Sequence, residues 1–90
     1  MKLEYHAAFY RGEDSKWIVV EVLDFPGALS QGRTLNSARR MIRDALRLMA
    51  EWSIERGEPL PRPNPRARDK KAFLVEPVQL TIRVQAKGVA

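Results

Sequence analysis

Asp24-Phe25-Pro26-Gly27-Ala28-Leu29-Ser30-Gln31-Gly32-Arg33-Thr34 is where a strand pattern gives way to a helix pattern. Proline fixes φ and lacks a donor, while glycine tolerates positive φ, so Phe25-Pro26-Gly27 ends the element before it. Ala28 to Gly32 leaves room for a short third strand or edge segment. Thr34 is a good N-cap for a following helix. Ser37 stands where a capping box places Glu or Gln, so the spacing predicts half a box.

Downstream, Leu35, Ala38, Ile42, Ala45, Leu46, Met49 and Trp52 recur at three and four residues. Met41, Leu48 and Ile54 widen this apolar face. Arg39, Arg40, Arg43, Arg47, Glu51 and Glu55 take the other side, with Asp44 at helical spacing from Arg40 and Arg47 and Glu51 from Arg47. Gly57 is the expected C′ residue, and Pro59 and Pro61 forbid continuation.

Upstream, Leu3, Tyr5, Ala7 and Phe9 alternate with Lys2, Glu4 and His6, the period of a half-buried strand. Arg11-Gly12-Glu13-Asp14-Ser15 reads as a turn. Trp17 to Leu23 is the second strand of the hairpin. It is apolar on both faces, with Ile18, Val20 and Val22 on one and Trp17 and Val19 on the other. One helix covers one face. A second subunit is the simplest cover for the other.

Beyond the helix, Pro59 to Pro65 is extended and stiff, and Arg66 to Lys71 is charged and exposed. Val78, Leu80, Ile82 and Val84 alternate with polar residues as a last strand, with Pro77 marking an edge or a bend. The order is β-β-β-α-β, an α+β fold of two layers: an antiparallel sheet with one helix on a face. The chain divides into an αβ core over 1–62, a Pro-rich and basic linker over 63–72, and a C-terminal strand over 73–90 serving as an oligomerisation arm.

Ninety residues make one domain with a modest core. No cysteine is present, which removes disulfides and thiolate metal sites and points to oligomerisation as the support for so small a core. No apolar run approaches the roughly 20 residues of a membrane span. The N-terminus lacks an apolar signal core. A cytoplasmic protein is expected. The net charge of +5 admits an acidic partner, a nucleic acid or an acidic protein face.

The order of these pieces resembles the HicB family, the antitoxin half of a bacterial type II toxin–antitoxin pair. The residues that carry the likeness are Tyr5 and Ala7-Ala8, Glu13-Asp14 in the turn, and Asp24-Phe25-Pro26-Gly27 at the bend. Gly32, Thr34 and Ala38 fit the helix entry, and Gly57-Glu58-Pro59-Leu60-Pro61-Arg62-Pro63 fits the exit. The match covers roughly residues 3 to 63. It implies a truncated ribonuclease H-like fold without that chemistry, and a domain that covers the active site of a HicA-type mRNA-cleaving toxin. The chain departs from the pattern at Ala28 and Ser37, in an arginine-rich helix, and in having no DNA-reading module after the linker. Autonomous operator binding is therefore not expected.

No catalytic, cofactor or metal site is expected. His6 is read as a surface histidine of the first strand. Glu13, Asp14, Glu21 and Asp24 are too dispersed for a two-metal nuclease centre, which needs carboxylates converging on ions about 4 Å apart. A residual nuclease would need Asp24 or Glu21. In the resemblance, Glu13, Asp14, Phe25, Pro26 and Gly27 form the partner-facing rim. Trp17, Val78, Leu80, Ile82 and Val84 are the expected oligomerisation residues, giving a dimer or tetramer. Trp17 and Trp52 are expected as core or interface anchors. The alternative function is a basic accessory protein that binds nucleic acid without sequence preference through the helix face of Arg39, Arg40, Arg43 and Arg47 and through Arg66, Arg68, Lys70 and Lys71.

Overall fold

The computed structural model describes residues 2–14 and 16–82. The elements run β1 (Lys2–Arg11), β2 (Ile18–Val22), β3 (Leu29–Gly32), α1 (Leu35–Glu55) and β4 (Leu74–Thr81). The four strands form one sheet in the order β3-β2-β1-β4, each neighbour antiparallel. This is the expected α+β arrangement of one helix on one sheet.

The period-two pattern decides which side chains face the helix. Tyr5, Ala7 and Phe9 of β1, Val20 and Val22 of β2, and Val78 and Leu80 of β4 are buried with Ala38, Ile42, Leu46 and Ala50 of α1. The helix starts against the sheet because Gly32 has no side chain. A Cβ there would lie 2.5 Å from the Ala38 nitrogen. The N-cap is stronger than the sequence suggests. Thr34 Oγ1 accepts from the Ser37 N–H, and Ser37 Oγ accepts from the Thr34 N–H, each at 3.0 Å. Serine's short side chain completes the box because its oxygen still reaches back one turn.

Over β1, the face opposite α1 is covered by the chain itself. Residues 59–73 leave the helix, pass Leu60 into the edge of the core, and run along β1 before turning into β4. Four hydrogen bonds pin this strap. Tyr5 donates to the Pro61 carbonyl at 2.7 Å, the Asn64 N–H to Asp24 at 2.9 Å, Tyr10 to Asp69 at 2.7 Å, and the Phe73 N–H to the Phe9 carbonyl at 2.9 Å. His6 and Ala8, on the face away from the helix, are consequently buried. The cover that a second subunit was expected to supply comes, over β1, from the segment read as a linker.

β4 lies in the same sheet, paired with β1 from Lys2↔Thr81 to Phe9↔Leu74. Val78 and Leu80 therefore face the chain's own helix. Ile82 is half-buried against the same core, and Val84 lies outside the described residues.

Candidate partner-binding surfaces

His6 and Asp24 form the most constrained polar group. Asp24 follows β2 in the bend before β3, and its carboxylate turns inward under β1. Oδ1 accepts the His6 backbone N–H at 2.8 Å, and Oδ2 lies 2.9 Å from His6 Nδ1. The Asn64 N–H completes the set on Oδ2. Both residues are buried, so the expectation of a surface histidine fails. Period two does place His6 away from the helix, but the strap roofs that side. The sequence signal that could have found the pair is Asp24 beside the Phe-Pro-Gly bend, an acid positioned to bond local backbone.

A second polar cluster sits farther along the same face. The Tyr10 hydroxyl lies 2.9 Å from Glu21 Oε1 and 2.7 Å from Asp69 Oδ2. One phenol proton serves one carboxylate at a time. Burial, then the bonds to Asp69 and Glu21, hold the Tyr10 pKa well above its ordinary value. The Lys71 N–H, the Tyr10 hydroxyl and the Lys71 charge lower that of Asp69. Burial, and secondarily the Asp24 charge, raises that of Tyr5. Among the described residues no group of three His, Cys, Asp or Glu side chains could hold a metal ion.

The expected partner rim is divided. Glu13 and Asp14 are exposed in the β1–β2 turn, whereas Phe25-Pro26-Gly27 lies beyond the other end of β2. Five strand residues, roughly 17 Å, separate them. Phe25 is 2% exposed and packs edge-on against Tyr5 with ring centroids 5.2 Å apart, so only Pro26 and Gly27 of that bend reach solvent. Gly27 has φ +96°, and a Cβ there would meet the Met49 methyl at 2.9 Å, so the bend closes onto the helix.

The basic strap residues are brought together. Arg66, Arg68, Lys70 and Lys71 are exposed, while Ala67 and Asp69 between them are half-buried. They sit on a backbone fixed at Asn64 and Asp69. Trp17 is half-buried under the Arg33 guanidinium, 5.1 Å from its centroid.

The helix carries apolar side chains that the core does not take. Met41, Leu48 and Trp52 are 48%, 59% and 58% exposed. Trp52, expected as a core or interface anchor, is not in the core and lies under Arg56, whose guanidinium is 5.1 Å from the ring centroid. The sheet is too narrow to cover so wide an apolar arc. On the opposite flank, Arg39 grips Glu76 of β4 at 2.7 Å beside a cleft of about 350 Å³ floored by Ala7, Phe9, Ile42 and Val78.

Among known families, the model described as HicB_like antitoxin of bacterial toxin-antitoxin system matches residues 5–76. Among solved structures, the chain is similar to the N-terminal domain of Burkholderia pseudomallei antitoxin HicB. The identity is 24% and the TM-score 0.67, over 91% of this chain and 100% of that one. At that identity the likeness is one of fold. None of the curated proteins matches the chain. No helix among the described residues is long and apolar enough to cross a membrane.

Proposed function

This chain belongs to the HicB-like antitoxin family of bacterial toxin–antitoxin systems, and from that premise we propose that it is a non-enzymatic cytoplasmic protein that binds and masks a HicA-type mRNA-cleaving toxin. The family match across residues 5–76 carries the reading. The engagement of the acids a nuclease would need supports it. Asp24 holds two backbone N–H groups and His6, and Glu21 is bound by Tyr10. Asp24 is buried with both oxygens engaged and is not free to meet a substrate.

The Glu13-Asp14 turn and the exposed Pro26-Gly27 are proposed as two separate contact points, since they lie at opposite ends of β2. Self-association as a dimer or tetramer would use the outer backbone edge of β4, because the side chains of Val78 and Leu80 already serve the core. The test is co-expression with the gene adjacent to this one. Rescue of growth and recovery of a one-to-one or higher complex are expected. A neighbour that neither binds nor arrests growth would end the reading.

A second reading has its own observation, the exposure of Arg66, Arg68 and Lys70 on a pinned strap. It makes the chain a nucleic-acid-binding accessory with steep salt dependence and little sequence preference. Reversing the three charges should abolish retention on single-stranded RNA at low salt. Unchanged retention removes this reading.

A further inference from the structure

We propose that the open edge of β3 receives a fifth β-strand, donated by another protein and packed beneath Met41, Ala45, Leu48 and Trp52 of α1. The proposal rests on the toxin-masking reading for the donor's identity. It goes beyond that reading in naming the edge and the form of the occupant.

Backbone directions single out this edge. The Val22 N–H bonds the Ala28 carbonyl, so Val22, Val20 and Ile18 address β3 through Ala28, Ser30 and Gly32. The N–H and C=O groups of Leu29 and Gln31 therefore point away from β2, to the open edge. The other edge of the sheet differs. The His6 N–H and C=O turn toward Asp24 and Leu23, so Tyr5, Ala7 and Phe9 address β4. That directs Glu76 and Val78 inward and leaves Pro77 on the outer edge of β4. Proline has no N–H to give there, so a strand paired with β4 meets a gap. β3 contains no proline and no charge.

The helix supplies the cover. Ala38 stands on Gly32 at the end of β3. At about 100° per residue, Met41, Ala45, Leu48 and Trp52 fall in one arc of about 60° that adjoins Ala38. Arg39 leaves the opposite flank toward β4. The arc thus overhangs the position next to β3. Met41, Leu48 and Trp52 are exposed because the sheet ends one strand short of them. Leu29, exposed on the other face, borders the same edge. A strand placed there gains backbone bonds from Leu29 and Gln31 and an apolar cover on its helix-facing side. It also joins the two contact points proposed above. β3 runs beside β2 from the Pro26-Gly27 bend to the level of the Glu13-Asp14 turn.

Shape decides the occupant, because charge does not. The border of the arc is mixed, with Arg40, Arg47 and Arg56 beside Asp44, Glu51 and Glu55, and selects neither sign. A second copy does not fit. Its β3 already carries α1, backbone against Gly32, so joining β3 to β3 brings two helices to one seam. Strands pair about 4.8 Å apart, whereas packed helices need about 8–10 Å. Its β4 offers an edge interrupted at Pro77, with Val78 and Leu80 already committed to its own helix. A strand of another protein, apolar on alternate residues and without a helix on that face, meets the arc and the edge together.

The experiment titrates the full chain with the product of the adjacent gene, inactivated by substitution, and follows mass by light scattering and amide hydrogen exchange residue by residue. The wild type is expected to bind, with exchange at Leu29 and Gln31 slowed by about 100-fold or more and that at Gln79 unchanged. Gln31→Pro removes one outward N–H without touching the β2 ladder and should weaken binding by about 30-fold or more, the range of hot-spot loss. Leu48→Gln with Trp52→Gln should do the same, and Gln79→Pro on the other edge should not. Unchanged far-UV circular dichroism establishes that the variants fold, and should Gln31→Pro unfold, exchange in the wild type decides alone. Binding that leaves the Leu29 and Gln31 amides exchanging as in the free chain overturns the added strand while the masking reading stands. A wild-type chain that fails to bind removes the masking reading and the donor assigned here with it. A dimer of the free chain in which those two amides are already slow makes a second copy the occupant and also overturns the proposal.

Discussion

Asp24 grips His6 with both of its oxygens, one on the backbone N–H at 2.8 Å and one on the imidazole Nδ1 at 2.9 Å, and lends the second oxygen to Asn64. One carboxylate thereby joins β1, the bend after β2 and the strap. Asp24→Ala strands the buried His6 N–H and leaves its Nδ1 without a partner, each costing about 1–3 kcal/mol when buried and unpaired, and opens the part-buried Asn64 N–H to water. A loss of about 3 kcal/mol is expected, or roughly 15 °C in Tm for a domain of this size. Asp24→Asn keeps one acceptor and should lose about half as much. Urea melts of the three proteins decide it, and a wild-type midpoint for Asp24→Ala would show that the strap is held elsewhere.

The two glycines that bound the helix should respond differently to alanine. At Gly32 a Cβ would fall 2.5 Å from the Ala38 nitrogen and from Ser37 Oγ, and the backbone atom cannot rotate away. The expected cost is about 3 kcal/mol, at the upper end for overpacking. Gly57 has open space around it but φ +71°. Alanine there meets only the left-handed penalty, about 1 kcal/mol. Thermal melts that rank Gly57→Ala below Gly32→Ala in stability would refute the packing account of the helix entry.

The sequence was legible where local rules act alone. Pro26-Gly27, Thr34, Gly57 and Pro59 mark boundaries because each constrains its own backbone, and the structure breaks the chain near each of them. Period two correctly sorted Tyr5, Ala7 and Phe9 to the helix side. What stayed illegible depends on contacts distant in sequence. His6 looked solvent-facing because nothing in its neighbourhood foretells a strap 58 residues later at Asn64, reaching Asp24. Trp52 shares the spacing of the core positions, yet the width of a four-stranded sheet, not the period, decides which of them are covered. Composition placed the basic residues in a linker, and only the half-burial of Ala67 and Asp69 between them, with the Asp69 bond to Tyr10, shows that the segment packs against the sheet.

Tyr10 gives the fold an alkaline limit. Its folded pKa is raised above the ordinary value of 10.0, so between the two values the native state keeps a proton that the unfolded chain has lost. The stability this contributes is fully present below pH 10 and is lost as pH rises through the folded pKa. Tyr10→Phe removes that contribution. The wild type should therefore be the more stable protein at pH 8, with the gap narrowing steadily toward pH 11. Tyr5, shifted in the same direction, leaves a residual slope in both proteins. Parallel curves of Tm against pH for the two proteins would contradict the assigned role of the Tyr10 hydroxyl.

Leu80 separates a core role for the last strand from a purely oligomeric one. It is 4% exposed in the single chain and faces Leu3 across the β1–β4 ladder while packing into the shared core. Leu80→Ala should cost about 2–4 kcal/mol, the range for a buried leucine whose cavity only partly closes. That cost belongs to the monomer, so the shift in Tm should be the same across a hundredfold range of protein concentration. An arm whose side chains bury only against another subunit behaves otherwise, because its melting point rises with concentration by mass action and the substitution steepens that rise. A concentration-dependent shift in Leu80→Ala, with little loss at the highest concentration, would return β4 to the subunit interface.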